Sequence, residues 1–283
     1  MTFAGKIRVK SLNSDKGRFP VHRAKRFLGQ NFLIDSNISR KIVSELSILP
    51  GETVLEIGPG EGALTRLLVE KDAHVIAIEK DRELCNFLFE EFAEARSFDL
   101  LNRDFLDYDF PDSTQMIKIV GNIPYNQTSR IISRLVDLRS RIDQAVLMVQ
   151  EEVADRLAAK PGTKAYGAIS VRLQLTGKVT KLFQVPPSCF RPKPKVDSRV
   201  IRISFLQREL FEDEKGFVVF VKKAFGMRRK MLRHFISENY GKPVLTNVPK
   251  EILTKRVEVL PPEDIYRLFS ILSRSLWKDD GAK

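Results

Sequence analysis

Apolar runs that each end in a glycine turn or a polar residue most constrain the fold of this chain. The run Thr53–Ile57 precedes a turn with glycines at 58, 60 and 62, and a helical pattern begins at Ala63. Further apolar runs lie at 75–78, 98–102, 117–120 and 145–149, and helical patterns separate them. Because strands that alternate with helices pair in parallel, we predict a doubly wound α/β fold with a mostly parallel sheet.

The second half of the chain has a different pattern. Two further strands, predicted at 179–185 and 199–205, flank a proline-rich loop at 186–195 and are expected to close the sheet with an antiparallel edge. From about residue 209 the pattern is helical, and no further strand is expected. We therefore predict a basic N-terminal arm at 1–26, an α/β domain at 27–207 and a small all-helical domain at 208–283.

The positive charge of the chain is clustered. The net charge is +12 and the pI is about 9.7, and residues 1–26 contribute eight cations against the single acid Asp15. A helix predicted at Lys215–Ser237 places five more cations within one third of its circumference: Lys222, Lys223, Arg229, Lys230 and Arg233. A charged helix face is often only solvated, but clustering without acids favours a nucleic-acid partner.

Other features exclude several classes of protein. Cys85 and Cys189 are too few for a disulfide framework, and the three histidines are too far apart in sequence to suggest a metal site. No apolar run is long enough to span a membrane, and the N-terminus lacks a secretory signal. We expect a cytoplasmic protein without a bound metal, and an organellar protein whose basic arm is a transit peptide is the alternative.

Polar residues at successive strand ends predict a nucleotide-type cofactor site. Gly58 and Gly60 lie in the turn, and Glu79 ends the next strand about 20 residues on, where a carboxylate binds ribose hydroxyls. NAD and S-adenosylmethionine both satisfy this pattern. Asp104, after the third strand, can accept a hydrogen bond from an adenine amino group, and the motif after the fourth strand favours S-adenosylmethionine.

That motif is Asn122-Ile123-Pro124-Tyr125. The Asn122 amide can accept and donate hydrogen bonds, and Pro124 biases Ile123 to an extended backbone whose carbonyl is free to accept. Tyr125 offers a flat face for stacking. The motif alone could be a simple strand end, but these groups suit a planar ring with an exocyclic amino group, such as adenine.

These residues resemble the ribosomal RNA adenine dimethyltransferases, which modify adjacent adenines near the 3′ end of small-subunit rRNA. The resemblance extends from about Arg23 to the C-terminal helices. It rests on motifs at 28–33, 55–65, 79–81, 122–126, 150–153, 166–167 and 185–198. It implies a Rossmann-like class I methyltransferase sheet, S-adenosylmethionine as the cofactor, a monomer, and small-subunit rRNA in an immature 30S-type particle as the partner.

The resemblance also implies roles for individual residues. Residues 122–125 would be catalytic, and Tyr125 and Phe190 would lie on the two faces of the target base. The implied contacts to S-adenosylmethionine are Asn31, Leu33, Gly58, Gly60, Glu79, Asp104, Phe105 and Asn122. The basic N-terminal arm is longer than the family needs, and its role is open.

Four alternatives remain at this stage. A dimethylase of large-subunit rRNA shares the motifs, but the long loop at 185–198 is more similar to the small-subunit group. A DNA adenine methyltransferase should carry a larger recognition domain. A non-catalytic ribosome-assembly factor would not need the cofactor residues, and an oxidoreductase has no use for the Asn122 motif.

Overall fold

The computed structural model describes residues 22, 24–25, 28–110, 115–207 and 211–279. Packing divides these residues into two units. The first unit contains the described residues up to Ala154 and the segment Thr180–Phe205, and the second contains Asp155–Val179 and the chain from Leu206 onwards. Most of the predicted basic arm at 1–26 lies outside the described residues.

The regular elements are numbered in chain order. The strands are β1 (Phe32–Leu33), β2 (Thr53–Ile57), β3 (His74–Glu79), β4 (Phe98–Asn102), β5 (Ile117–Asn122), β6 (Ile142–Gln150), β7 (Gly177–Val185), β8 (Phe190–Arg191) and β9 (Ser198–Phe205). The α-helices are α1 (Ser36–Ser44), α2 (Thr65–Glu70), α3 (Arg82–Glu91), α4 (Thr128–Asp137), α5 (Glu151–Leu157), α6 (Ala168–Thr176), α7 (Glu214–Gly226), α8 (Leu232–Tyr240), α9 (Lys250–Leu253) and α10 (Pro262–Asp279). None of the described helices is both long and apolar enough to cross a membrane.

The main sheet has the strand order β4-β3-β2-β5-β6-β9-β7. The strands from β4 to β6 pair in parallel, whereas β9 pairs antiparallel with β6. This arrangement confirms the predicted mixed α/β fold with an antiparallel edge. Since β2, β3 and β5 are parallel neighbours, their carboxyl ends meet at one edge of the sheet, and polar residues that follow them are brought together there.

A second, two-stranded sheet was not predicted from the sequence. In it, β1 pairs antiparallel with β8, so that Phe32 lies opposite Arg191 and Leu33 lies opposite Phe190. We call this pair the clasp. Each strand has only two residues, which is too short for any periodic pattern to be recognised.

The C-terminal end of α1 is anchored by three strands of the main sheet. The Arg202 guanidinium donates to the Glu45 carbonyl at 2.8 Å, Gln144 Nε2 donates to the Leu46 carbonyl at 2.8 Å, and Lys118 Nζ donates to the Ser47 carbonyl at 3.0 Å. These carbonyls follow the last turn of the helix, where intrahelical donors run out. Side chains from β9, β6 and β5 therefore replace the missing donors and hold α1 to the sheet.

The second unit has its own apolar core, which includes residues that we predicted to belong to the α/β domain. Tyr166 and Val171 are fully buried there with residues of α7 and α10, and the Tyr166 hydroxyl donates to the Leu260 carbonyl at 3.0 Å. The predicted boundary near residue 207 therefore describes only one of the two chain segments that form this unit. Sequence periodicity does not show which core an apolar helix such as α6 joins.

The predicted helix at Lys215–Ser237 is two helices, which corrects the sequence analysis. The helix α7 ends at Gly226, and α8 begins at Leu232. Between them, Met231 forms a β-bridge with Arg256, and the Leu232 N–H donates to the Lys255 carbonyl at 2.8 Å. These tertiary backbone hydrogen bonds replace the helical ones and override the local helix propensity.

Gly121 provides a test of the close packing beside the predicted site. A Cβ atom at this position would lie 2.6 Å from the Ile57 carbonyl oxygen of the neighbouring strand β2. We expect Gly121→Ala to lower the free energy of unfolding by about 1–3 kcal/mol, because overpacking against backbone cannot be relieved by a rotamer change.

The measurement is chemical denaturation of the purified variant, with Gly226→Ala as the control. A Cβ at Gly226 meets no atom within 4 Å, so that variant should be neutral or slightly stabilised. Equal stabilities for the Gly121→Ala variant and the parent chain would contradict the close approach of β2 and β5.

Candidate active site

A cavity of about 320 Å³ opens at the carboxyl ends of the central strands. Its volume is in the range of nucleotide and cofactor sites. The structure brings to its lining every residue predicted to contact the cofactor and all four residues of the Asn122 motif. These are Asn31, Leu33, Gly58, Gly60, Glu79, Asp104, Phe105, Asn122, Ile123, Pro124 and Tyr125.

The glycine turn forms one wall of the cavity. Gly58 and Gly60 have φ angles of +65° and +58°, a region that favours glycine. A Cβ on Gly60 would also lie 3.1 Å from the Phe32 ring of the clasp. The backbone of the turn therefore borders the cavity, and it also lies against the Phe32 ring of β1.

Glu79 ends β3 beside this turn and is 7% exposed. Its carboxylate accepts hydrogen bonds from the Asp81 N–H at 2.8 Å and from the Gly60 N–H at 3.3 Å. Burial raises the pKa of Glu79, while these backbone donors favour its charged form. The carboxylate is therefore held at a fixed position at the cavity wall.

Asp104 follows β4 on the same side of the cavity. One carboxylate oxygen accepts from the Leu106 N–H at 2.9 Å, and the other accepts from Lys80 Nζ at 2.9 Å. Burial acts to raise the pKa of Asp104, but the hydrogen bonds from Lys80 and the Leu106 N–H outweigh it, so the pKa is lowered. Asp104 is thus a charged acceptor at neutral pH.

The Asn122 side chain is held in one orientation. Its Nδ2 atom donates to the Asn31 carbonyl at 2.7 Å. The carbonyl can only accept, so the amide nitrogen must face Asn31 and the amide oxygen must point the other way. Among the described residues, no hydrogen-bond donor is recorded for that oxygen, which leaves it available as an acceptor.

The next residues form a turn that is hydrogen-bonded at both ends. The Ile123 N–H donates to the Met148 carbonyl at 3.0 Å, which continues the pairing of β5 with β6. The Pro124 carbonyl accepts from the Gln127 N–H at 3.0 Å and from Thr128 Oγ1 at 3.2 Å. No donor to the Ile123 carbonyl is recorded in the described part of the chain, so a second acceptor remains beside Asn122.

Tyr125 is anchored through its hydroxyl group. This group shares a hydrogen bond of 2.7 Å with Ser198 Oγ at the start of β9, and Ser198 is fully buried. Burial raises the pKa of Tyr125, and the hydrogen bond with Ser198 partly opposes this effect. The phenol is therefore neutral at physiological pH and keeps its hydrogen bond.

The segment that carries Asn31 is tied to Asp81. The Asp81 carboxylate accepts from Gln30 Nε2 at 2.9 Å and from Lys25 Nζ at 2.7 Å, and Gln30 Oε1 accepts from the Lys25 N–H at 2.7 Å. Lys25 was predicted to lie in the basic arm, but here it forms an ion pair with the α/β unit. Asp81 thereby links the end of β3 to the carbonyl that orients Asn122.

Phe190 is the one predicted site residue of the first unit that the structure does not bring to the cavity. It is 1% exposed and packs in the core with Leu33 and Val185. The ring cannot stack on a base in this conformation. The physical reason is its place in β8, where pairing with Leu33 turns it toward the core.

Sequence reasoning missed Glu56, which also lines the cavity. It is 1% exposed in β2 and accepts a hydrogen bond from Thr65 Oγ1 at 2.7 Å. Burial raises its pKa to about 7, and the negative charge of nearby Glu79 adds to this effect. The sequence did contain a signal for this residue, because Glu56 is the one acid in the apolar run Thr53–Ile57. Glutamates are rarely buried, so an acid in a strand predicted to be buried indicates a special role.

The five predicted RNA-contacting cations all lie in the second unit. Lys222 and Lys223 are exposed on α7, Arg229 and Lys230 are exposed in the turn that follows it, and Arg233 is exposed on α8. No ion pair joins any of them to an acid among the described residues. Arg228, by contrast, is bound by Glu258 through Nε at 2.7 Å.

Comparisons with known proteins agree on one family. A family model described as ribosomal RNA adenine dimethylase matches residues 21–274. The ribosomal RNA small subunit methyltransferase A of Chlorobaculum parvum is 45% identical over 252 residues, which cover 88% of this chain and 90% of the relative. The protein of the same name from Aromatoleum aromaticum is 42% identical and covers 77% of this chain and 82% of its own length.

Two solved structures share the fold over most of their length. A dimethyladenosine transferase from Plasmodium falciparum has a TM-score of 0.73 at 26% identity, with 83% of this chain and 95% of that chain covered. The 23S rRNA methyltransferase ErmE has a TM-score of 0.66 at 27% identity, with coverages of 86% and 100%.

Glu56 provides a pH-dependent test of the cavity wall. Its ordinary pKa of 4.5 is raised to about 7, so the folded chain holds a proton that the unfolded chain has lost. The proton held by Glu56 therefore stabilises the folded chain fully below pH 4.5. As the pH rises through 7 this stabilisation is lost, and the free energy of unfolding falls by up to about 3 kcal/mol. We expect the neutral variant Glu56→Gln to avoid this loss.

The free energy of unfolding, measured between pH 5 and 8, should therefore fall less for Glu56→Gln than for the parent chain. The exposed variant Glu90→Gln is the control, and it should follow the parent chain at every pH. A constant difference between Glu56→Gln and the parent chain would show that Glu56 does not titrate in this range.

Proposed function

The chain belongs to the ribosomal RNA adenine dimethylase family, and we propose that it transfers methyl groups from S-adenosylmethionine to N6 of two adjacent adenosines near the 3′ end of small-subunit rRNA, giving N6,N6-dimethyladenosines. The observation that carries this proposal is the orientation of Asn122. The Asn31 carbonyl fixes the amide so that its oxygen is presented as an acceptor, which suits an exocyclic amino group.

The residues of the cavity fit S-adenosylmethionine. The positive φ angles at Gly58 and Gly60 expose backbone to a ligand, and Glu79 offers a fixed carboxylate for two ribose hydroxyls. Asp104 would accept from the cofactor's adenine amino group, with Phe105 next to it in the chain, and Asn31 and Leu33 also line the cavity. When bound, the cofactor supplies an electrophilic methyl group on a positively charged sulfur.

The target amine is activated by hydrogen bonds that orient its lone pair. The N6 lone pair of adenine is delocalised into the ring and is a poor nucleophile. Asn122 Oδ1 and the Ile123 carbonyl can each accept one N6–H bond, which favours a pyramidal nitrogen whose lone pair faces the methyl group. Tyr125 stacks on the ring, a contact worth about 1–3 kcal/mol per base. Catalysis is then mainly orientation and electrostatic complementarity.

No strong general base is needed in this scheme. The N6 proton becomes acidic once the nitrogen has gained the methyl group, and the same acceptors that hold the N–H groups can pass the proton to water. Because the target atom must reach the cavity, the adenine has to be unpaired or flipped out of its stack.

The second unit is proposed to hold the RNA. Its five exposed cations lie on α7, α8 and the turn between them, and they lack acidic partners among the described residues. Cations that are not paired within the protein can neutralise phosphates and release counterions. We propose that the monomeric chain acts in the cytoplasm on an immature small subunit.

A second candidate is dimethylation of large-subunit rRNA, since the fold is also similar to the 23S rRNA methyltransferase ErmE. The relatives named as small subunit methyltransferases are 41–45% identical, well above the 27% of that structure. An assay can distinguish the two candidate functions. Immature small subunits, large subunits and duplex DNA are methylated side by side, and the modified adenosine is located by mass spectrometry.

Asn122→Ala should abolish methyl transfer and leave RNA binding largely intact. The variant loses the acceptor for the target amine and the hydrogen bond to Asn31. The readout is incorporation of tritiated methyl groups into immature small subunits, with a parallel binding assay. Asn86→Ala, an exposed asparagine on α3, is the matched control. Sustained turnover by Asn122→Ala would rule out the role assigned to this side chain.

Charge reversal tests the proposed RNA surface. Replacing Lys222, Arg229 and Arg233 with Glu should weaken binding to small subunits and reduce the slope of affinity against salt concentration, because fewer counterions are released. The control makes the same charge change at Lys242, Lys250 and Arg267, which are also exposed cations of the second unit. An unchanged slope in the first variant would indicate a surface that is only solvated.

A further inference from the structure

The hydrogen bond between Ser198 and Tyr125 bears on the relative rates of the first and second methyl transfers to one nitrogen. We propose that Ser198 is a positioning residue for the second transfer to the same nitrogen, and that it thereby sets how far the reaction proceeds from monomethyl- to dimethyladenosine. This proposal rests on the proposed function, because it assumes that Tyr125 stacks on the target base.

Ser198 is fixed by the main sheet. It lies opposite Gln150 in the antiparallel pairing of β6 with β9 and is fully buried. The residues on both sides are also bound, since the Asp197 carbonyl accepts from the Glu151 N–H at 3.0 Å and Arg199 Nε donates to the Glu151 carboxylate at 2.8 Å. The serine hydroxyl is therefore a rigid attachment point.

The Tyr125 ring is held at both ends. Its backbone belongs to the hydrogen-bonded turn, where Thr128 Oγ1 donates to the Tyr125 carbonyl at 3.3 Å. Its hydroxyl group is 2.7 Å from Ser198 Oγ. Without the second attachment, the ring could rotate about its side-chain bonds, and the plane on which a base stacks would no longer be fixed.

The two transfers use this plane unequally. Each transfer forms one N–C bond at N6, breaks the carbon–sulfur bond with its electron pair left on sulfur, and releases one N6 proton to solvent. In the first transfer N6 carries two N–H groups, which Asn122 and the Ile123 carbonyl can both accept. In the second transfer N6 carries one N–H, so one of the two hydrogen bonds is lost and the stacking plane determines more of the orientation.

The experiment compares Ser198→Ala, Tyr125→Phe and the double variant in full-length chains, with immature small subunits and S-adenosylmethionine as substrates. Monomethyl- and dimethyladenosine are quantified by mass spectrometry over time. Each single variant should lower the ratio of second to first rate constants by roughly three- to tenfold, the range for loss of one hydrogen bond. The double variant should lower it no further, because both changes remove the same bond.

Ser204→Ala, an exposed serine on the same strand, should keep the ratio of the parent chain. The ratio is independent of the fraction of folded enzyme, so reduced stability of a variant does not alter it. An unchanged ratio in Ser198→Ala and Tyr125→Phe would overturn the proposal, and this includes the case in which both transfers are slowed equally. If the parent chain itself makes no dimethyladenosine on small subunits, the proposed function fails instead.

Discussion

The hydrogen bond from Asn122 to the Asn31 carbonyl is the interaction on which the candidate site depends. It joins the end of β5 to a segment that lies far earlier in the chain, and it determines which atom of the amide faces the cavity. Two further sets of contacts hold the residues next to Asn31 in place. Asp81 holds Gln30 from the side of β3, and the clasp holds Phe32 and Leu33 from the side of β8.

The same segment also connects the two ligands of the proposed reaction. Phe32 packs against Gly60 in the glycine turn, and one residue earlier the Asn31 carbonyl orients Asn122, the side chain proposed to face the target base. The anchoring of α1 to three strands keeps the chain just after this segment in place. The residues proposed to bind the cofactor and those proposed to hold the target base are therefore linked through one segment of the chain.

Much of this arrangement could be predicted because it depends on local patterns. Parallel strands with polar residues at their ends place Glu79, Asp104 and Asn122 at one edge whatever the details of packing. The features that were missed depend on tertiary contacts. The clasp is too short to have a pattern, the break between α7 and α8 follows from a bridge to Arg256, and Phe190 is buried because β8 pairs with β1. The sequence shows Glu56 as an acid in an apolar strand. Its raised pKa could not be predicted, because it results from burial in the folded chain.

The distance in sequence between the two strands of the clasp has a consequence for synthesis of the chain. The strands β2 to β6, which carry the glycine turn and Asn122, are translated before β8 and β9 leave the ribosome. A nascent chain that ends before residue 190 therefore has the parallel part of the sheet but lacks the partner of β1 and the hydroxyl that holds Tyr125. The proposed base site is therefore completed only after β2 to β6, with the glycine turn and Asn122, have been synthesised.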